Sequence, residues 1–332
     1  MLLRRPRPAE EGPLEPVELP TPEPCGDEIL VRVRACGVCH TDLHTIQGEI
    51  SAKLPLVPGH QIVGTIDKVG AGVTAFRVGD RVGIPWLHRT CSACEFCRSG
   101  RENLCEQAEF TGLHVNGGYA EFAVALAEYA VKIPARFGDV EAAPLLCAGI
   151  VGFRALRLSG TQSGQRLGLY GFGASAHLVL QVAVQRGCEV VVATRSAAHQ
   201  RLARELGAAW VGRAENVPAT SLDAAILFAP AGALVPPALR ALRKGGTLAL
   251  AGIYLTPIPE LQYEWLYHER IVRSVANATR EDARQFMELA GKISLRTEVE
   301  TFPLAEANEA LRALKHSRVR GAAVLVVGEG QI

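Results

Sequence analysis

The sequence predicts an α/β protein of two domains, a β-rich one and a doubly wound parallel sheet. Three observations carry this. The chain of 332 residues is too long for one ordinary core. Its first part, to about residue 148, strings short apolar strands between glycine breaks. From about residue 150, apolar strands alternate with helical stretches, the pattern of a parallel sheet covered on both faces.

Each element follows from its residues. Ile29-Leu-Val-Arg-Val-Arg-Ala alternates with period two and reads as a half-buried strand. Breaks at Gly59, Gly64, Gly70, Gly72 and Gly79 leave short strands such as Ile62-Val-Gly-Thr-Ile and Arg81-Val-Gly-Ile. A cysteine-rich insertion interrupts the region, and Gly117-Gly-Tyr-Ala-Glu-Phe-Ala-Val returns to strand character. Further on, Arg166-Leu-Gly-Leu-Tyr is a strand, and 175–186 is an apolar helix. Glu189-Val-Val-Val-Ala-Thr is a strand buried on both faces, and 197–206 an amphipathic helix. Ala224-Ala-Ile-Leu-Phe and Thr247-Leu-Ala-Leu-Ala-Gly add two strands with a helix between them. The tail predicts a helix over 281–290, a strand over 297–302, a helix over 304–314 and a strand over 322–327.

Composition excludes several functions. A 48% hydrophobic, 21% charged chain is that of a soluble globular protein. With 35 basic against 34 acidic residues it has no electrostatic footprint for nucleic acid or an anionic membrane. No run of about 18 apolar residues predicts a membrane span, and Met1-Leu-Leu-Arg-Arg-Pro lacks the apolar region of a secretory signal. The expected compartment is the cytoplasm, where closely spaced thiols bind metal rather than pair. Cys25, Cys36 and Cys188 read as small buried apolar side chains.

The other six of the nine cysteines fall into two sets. Cys91-x-x-Cys94-x-x-Cys97-x7-Cys105 offers four thiolates within one short loop, the pattern of a closed, structural zinc site. Cys39 and Cys147 lie far apart, and His60 stands between them in Gly59-His60-Gln61. Two cysteines and one histidine would make the three-ligand shell of a catalytic zinc with an open fourth position, but residues so widely spaced read equally as core side chains when taken alone. Two thiolates offset the charge of the dication and leave a Lewis acid.

A third motif follows the strand at 166–170. Gly171-Phe172-Gly173-Ala174-Ser175-Ala176 opens a helix, the dinucleotide turn in its expected context. The first glycine makes the turn, the second admits a pyrophosphate to the backbone, and the helix N-terminus offers amides to it. At the end of the next strand an NAD site usually carries an acid for the ribose 2′-hydroxyl. Thr194-Arg195-Ser196 has none. Arg195 and Ser196 suit a 2′-phosphate, which favours NADP over NAD.

In their order along the chain, Gly37-Val-Cys39-His40-Thr41-Asp42-Leu43-His44, Gly59-His60, the four-cysteine loop, Leu146-Cys147-Ala-Gly and Gly171-Phe-Gly173 resemble the zinc-dependent alcohol dehydrogenases of the medium-chain dehydrogenase/reductase superfamily. The resemblance covers nearly the whole chain. It implies a GroES-like catalytic domain from 1–148 and 278–332 around a Rossmann domain from 149–277. It implies two Zn2+ per chain, with Cys39, His60 and Cys147 on the catalytic one. The activity implied is reversible hydride transfer between a primary or small secondary alcohol and NAD(P), so the partner is a small-molecule alcohol or aldehyde. Thr41 and His44 would pass the alcohol proton outward, Asp42 would orient the His60 imidazole, and His40 resembles a residue reaching the cofactor pyrophosphate. A polyol, formaldehyde or cinnamyl-type dehydrogenase shares the scaffold. A zinc-ribbon binding module is the alternative of another class, opposed by the near-zero charge and the complete dinucleotide loop. Relatives also assemble as dimers and tetramers, and 247–259 is the expected segment for pairing sheets across a two-fold axis.

Three departures from the family stand out. Gln61 replaces a glutamate common after the ligand histidine. Gly321-Ala322 lacks the arginine expected on the pyrophosphate, and Arg318 and Arg320 are expected on the surface. Ile46 and Ile50 stand where bulkier aromatics narrow the pocket in some relatives, with Trp86 as a candidate wall.

Overall fold

The computed structural model describes residues 1–328, so positions 329–332 of the expected catalytic domain lie outside the described residues. Backbone contacts divide the chain into two units. One comprises Met1–Cys147, Ala278–Lys292 and the chain from Thr297; the other comprises Ala148–Asn277 and Ile293–Arg296.

The first unit is organised on the strand Glu28–Val38. Arg32 and Arg34 face solvent between buried Val31, Val33 and Ala35, and beyond Ala35 both faces are buried. One edge pairs antiparallel with Ile62–Val69. The other edge is shared, Phe122–Leu126 pairing with its first half and Ala322–Val326 with its second. Arg81–Ile84 and Val131–Lys132 extend one flank, and Val299–Pro303 pairs parallel to Ala322–Val326 on the other. The core beneath gathers Ile29, Val31, Ile62, Ile66, Val82, Ile84 and Leu325, together with Leu2 and Leu3 from the N-terminus and Ala310 and Leu311 from the helix Ala307–Lys315.

Two local outcomes differ from the sequence reading. Residues 117–121 are not strand. Gly117, Gly118 and Tyr119 donate their N–H groups to Val57, Gly59 and Pro58 carbonyls at 2.6, 2.9 and 2.9 Å, so this stretch is strapped to a loop. The helix His40–Gln47 was not foreseen, because its polar sequence carries little apolar periodicity. It is started by a capping box in which the N3 residue Asp42 accepts from the Cys39 N–H at 2.9 Å.

The second unit is a six-stranded, wholly parallel sheet. Its order is Trp210–Gly212, Glu189–Ala193, Arg166–Tyr170, Leu222–Leu227, Leu242–Leu250, Ile271–Ser274. This is the doubly wound order 3-2-1-4-5-6, whose switch point lies between Arg166–Tyr170 and Leu222–Leu227, where dinucleotides bind at the carboxyl ends of the strands. Within the central strands, Val190–Ala193 and Ala224–Leu227 are uninterrupted, buried apolar runs, as expected of strands covered on both faces. Leu242–Leu250 is paired on both edges. The expected two-fold segment is therefore corrected: its strand residues are interior, and the outer strand on that side is Ile271–Ser274. Cys25 is also corrected, being exposed with its thiol 3.2 Å from Glu28, whereas Cys36 and Cys188 are buried. No single helix among the described residues is long and apolar enough to cross a membrane.

Candidate active site

Strand pairing brings the distant ligands together. Cys36 pairs with Ile62, so the end of one strand, which leads to Cys39, lies beside the start of the next, which follows His60. Cys147 closes the short turn Ala143–Leu146. One ligand atom from each of Cys39, His60 and Cys147 lies within 4.8 Å of the others, and the two sulfurs are 3.9 Å apart. A tetrahedron with zinc–sulfur bonds near 2.3 Å has edges of about 3.8 Å, so the sulfur spacing fits zinc. His60 is 1% exposed, and its Nε2 is buried without a hydrogen-bond partner among the described residues. Such an orphan nitrogen is costly unless a ligand completes it. The Cys147 thiol donates to Cys39, which holds Cys39 well below the ordinary thiol range as a thiolate and pushes Cys147 up. Burial opposes charge on His60, but Asp42 and the Cys39 thiolate outweigh it and push the imidazole up to about 10. Metal uptake here releases protons.

Around this set, Asp42 accepts from His60 Nδ1 at 3.1 Å, which holds a ring proton there and turns Nε2 toward the two sulfurs, where it presents a lone pair once its own proton leaves. Thr41 is buried, its hydroxyl 3.7 Å from the Cys39 sulfur. His44, one turn further along the helix, pairs through Nδ1 with Glu49, whose other oxygen accepts from Gln47 at 3.2 Å. The sequence reading missed Glu49, since a residue past the Gly48 helix stop has no periodic relation to His44. His40 is exposed, its ring 6.4 Å from that of His44. Trp86 lies 5.9 Å from the His60 ring and stacks on Phe110 at 4.3 Å. Ile50 is half-buried, but Ile46 has no exposed surface and sits in the core of its unit, so Ile46 is corrected from pocket wall to core residue. Gln61 is 3% exposed, with its amide against Gly37, where an added Cβ would lie 2.8 Å from Cδ. Arg318 and Arg320 are exposed and face Glu309 and Glu298.

The four-cysteine loop is a second donor set. The sulfurs of Cys91, Cys94, Cys97 and Cys105 all lie within 4.8 Å of one another, with Cys91 and Cys97 at 3.8 Å and Cys94 and Cys97 at 3.5 Å. Backbone N–H groups point at the sulfurs, and those of Ala93 and Cys94 pull the Cys91 thiol down to about 6. The loop is tied to its unit by Glu102, 6% exposed, which accepts from the Arg280 N–H at 2.9 Å. The Arg280 guanidinium lies 4.9 Å over the Tyr129 ring, whose hydroxyl accepts from Thr90 N–H at 3.0 Å.

In the other unit, Gly171 has φ +89, and a Cβ there would meet Ala229 N at 2.7 Å, so glycine is required. A Cβ at Gly173 would meet nothing within 4 Å, which leaves room above the N-terminus of Ala174–Gln185, begun by Ala174 and Ser175. These features fit a pyrophosphate. Thr194 is 9% exposed at the end of Glu189–Ala193. Arg195 is exposed and makes no ion pair among the described residues, and the Ser196 hydroxyl accepts from His199 N–H at 3.3 Å to cap the next helix.

A doubly wound sheet carrying a dinucleotide turn, with a β-rich unit bearing an open donor set of two cysteines and a histidine and a closed set of four cysteines, defines a zinc-binding, dinucleotide-dependent dehydrogenase. The family comparisons agree. Residues 26–135 match the alcohol dehydrogenase GroES-like domain and residues 176–292 the zinc-binding dehydrogenase domain. A probable alcohol dehydrogenase, AdhA, of Mycobacterium tuberculosis is 49% identical, covering 98% of this chain and 96% of its own. A cinnamyl alcohol dehydrogenase structure from Sorghum bicolor superposes with a TM-score of 0.91 at 28% identity, over 99% of this chain and 98% of its own. The structure of CAD from Helicobacter pylori, complexed with NADP(H), superposes with a TM-score of 0.84 at 25% identity, over 92% of each chain. The chain belongs to the zinc-dependent alcohol dehydrogenase family of the medium-chain dehydrogenases and is an oxidoreductase acting on alcohols.

Proposed function

We propose that the chain interconverts primary or small secondary alcohols and their aldehydes or ketones, with NADP(H) preferred over NAD(H) and two zinc ions per chain. One is catalytic on Cys39, His60 and Cys147, and one is structural on Cys91, Cys94, Cys97 and Cys105. The observation that carries this reading is the orphan His60 Nε2 turned toward two sulfurs at tetrahedral spacing.

When bound, the zinc supplies a Lewis acid that acidifies an alcohol hydroxyl, and the nicotinamide supplies the hydride acceptor. The residues do the rest. The Thr41 hydroxyl can accept and donate at once, so it takes the alcohol proton and passes it on. His44 carries the proton outward: a carboxylate on Nδ1 keeps the ring proton there and the lone pair on Nε2, and Glu49 stands in that place. Asp42 does the same for His60 as a ligand. Trp86 supplies an apolar wall beside the ligands, and Ile50 leaves more room than an aromatic would. Apolar walls discriminate by about 1–3 kcal/mol per methylene at most, so a range of aldehydes is expected, aromatic ones included. Arg195, exposed and without an ion pair among the described residues, and the missing acid at 194–196 favour a 2′-phosphate. The thiol-rich metal sets suit a reducing cytoplasm. Among the described residues the outer strand Ile271–Ser274 pairs only with Leu242–Leu250, and its other edge suits the sheet pairing of a homodimer or homotetramer.

The test combines zinc content with steady-state kinetics on short, long and aromatic aldehydes. Wild type is expected to carry about two zinc per chain, and Cys147→Ala about one, with alcohol oxidation lost and the circular dichroism spectrum kept. Full alcohol oxidation by Cys147→Ala overturns the catalytic assignment. NADPH is expected to give the higher kcat/KM, and Arg195→Ala to cut that preference about tenfold. An NADH preference untouched by Arg195→Ala overturns the cofactor reading.

A further inference from the structure

The Asp42 carboxylate is 1% exposed, and all its acceptor capacity is used. Oδ1 accepts from His60 Nδ1 at 3.1 Å and Gly59 N–H at 3.2 Å. Oδ2 accepts from Cys39 N–H at 2.9 Å and the Tyr119 hydroxyl at 3.2 Å. An ionised carboxylate offers about four lone-pair sites, and four donors fill them here. Three of the donors belong to the metal-binding segments themselves. The fourth, Tyr119, comes from elsewhere in the chain.

The chain invests in bringing that hydroxyl there. The strap 117–119 is bonded to Val57, Pro58 and Gly59 through three backbone N–H groups. The approach is close enough that a Cβ on Gly117 would lie 2.0 Å from the Gly59 carbonyl oxygen. The Tyr119 ring fills the space over Gly59, where a Cβ would meet Tyr119 Cδ1 at 2.3 Å. Gly59, with φ +97, turns the chain directly into His60. The Met1 nitrogen donates to the Tyr119 carbonyl at 2.7 Å and holds the strap at a further point. The tyrosine is wholly buried, so its hydroxyl has no water to fall back on.

We propose that Tyr119 is a positioning residue for the catalytic metal: its ring seats the Gly59–His60 turn, and its hydroxyl clamps Asp42 so that the His60 imidazole is presented in one orientation. The proposal rests on the Cys39, His60 and Cys147 assignment above. Removing the hydroxyl leaves one Asp42 oxygen under-donated, which frees the carboxylate to rotate and loosens the imidazole it holds. Partners of a ligating histidine commonly matter about 10–100-fold for metal affinity. Tyr119 acts one bond further out, so its loss is placed at about tenfold, the lower end of that range.

The experiment follows zinc release from the intact protein to a chromophoric chelator. The loop of four cysteines serves as an internal reference, and Cys147→Ala assigns the catalytic phase. In Tyr119→Phe the catalytic phase is expected to accelerate about tenfold while the other stays unchanged. In an Asp42→Asn background the same change is expected to add nothing, because Tyr119 works through that carboxylate. An unchanged catalytic phase, equal acceleration of both phases, or additivity with Asp42→Asn overturns the proposal. Should the phenylalanine variant not fold, 3-fluorotyrosine placed at position 119 makes the hydroxyl a stronger donor; slower catalytic release supports the clamp, and unchanged release overturns it. A wild type that yields only one zinc overturns the site assignment itself, a result distinct from a Tyr119 that has no effect on a zinc that is there.

Discussion

At the scale of single residues, His177 shows what burial does to an ionisable group the chemistry does not use. It lies in the helix after the dinucleotide turn, 1% exposed, with Nδ1 3.4 Å from the Gly173 carbonyl. Burial pulls its imidazole down to about 4 against the help of that carbonyl. The unfolded chain's histidine takes its proton near 6.5, so between these values the unfolded state holds more protons than the folded one. The stability this contributes is complete above about pH 6.5 and is lost as pH falls toward 4, amounting to about 2 kcal/mol by pH 5. Urea unfolding at pH 8 and pH 5 is expected to show that loss in wild type, and His177→Leu to remove about that much of the difference. An equal pH dependence in the two proteins would exclude His177 as its source.

At the scale of elements, the cysteine loop is an insertion whose own side chains bury little. Its helix Glu95–Arg98 is one turn long with no buried residue. Its shape therefore rests on the four sulfurs and on the Glu102–Arg280 tie. Where a metal holds such a loop, its binding energy is folding energy. Cys97→Ser is expected to lose one zinc per chain and lower Tm by on the order of 5–10 °C. Cys147→Ala loses the other zinc and is expected to keep Tm within about 3 °C, because strand pairing and core already hold its surroundings. Differential scanning with zinc analysis checks both, and a larger Tm loss in Cys147→Ala than in Cys97→Ser reverses the two roles. The four-cysteine pattern was legible because its spacing is local. Cys39, His60 and Cys147 have no such spacing, and only family resemblance grouped them before strand pairing accounted for their meeting. Glu49 and Tyr119 were not legible at all. The first lies past a helix stop, and the second reaches Asp42 across 77 positions through a strap that resembles strand in sequence.

At the scale of the molecule, the parallel sheet could be read in advance because strands covered on both faces are continuous apolar runs, but the position of its edge could not. Thr247-Leu-Ala-Leu looked suited to pairing across an axis, yet it is an interior strand for the same apolar reason that made it look suited. The outer position falls to Ile271–Ser274, a strand with little periodic signal. Ile271 is 51% exposed there, and Tyr263 and Tyr267 nearby are 74% and 55% exposed. Unpaired strand edges and clustered exposed apolar side chains mark surfaces that another chain covers. A second copy presenting the same edge would extend the sheet antiparallel across a two-fold axis and bury these rings against each other. Sedimentation is therefore expected to give twice or four times the chain mass for wild type. Ile271→Lys places a charge on the shared edge, and it is expected to weaken self-association at least about tenfold while leaving zinc content unchanged. A wild type that sediments as a monomer, or an Ile271→Lys variant that associates as tightly as wild type, moves the interface elsewhere.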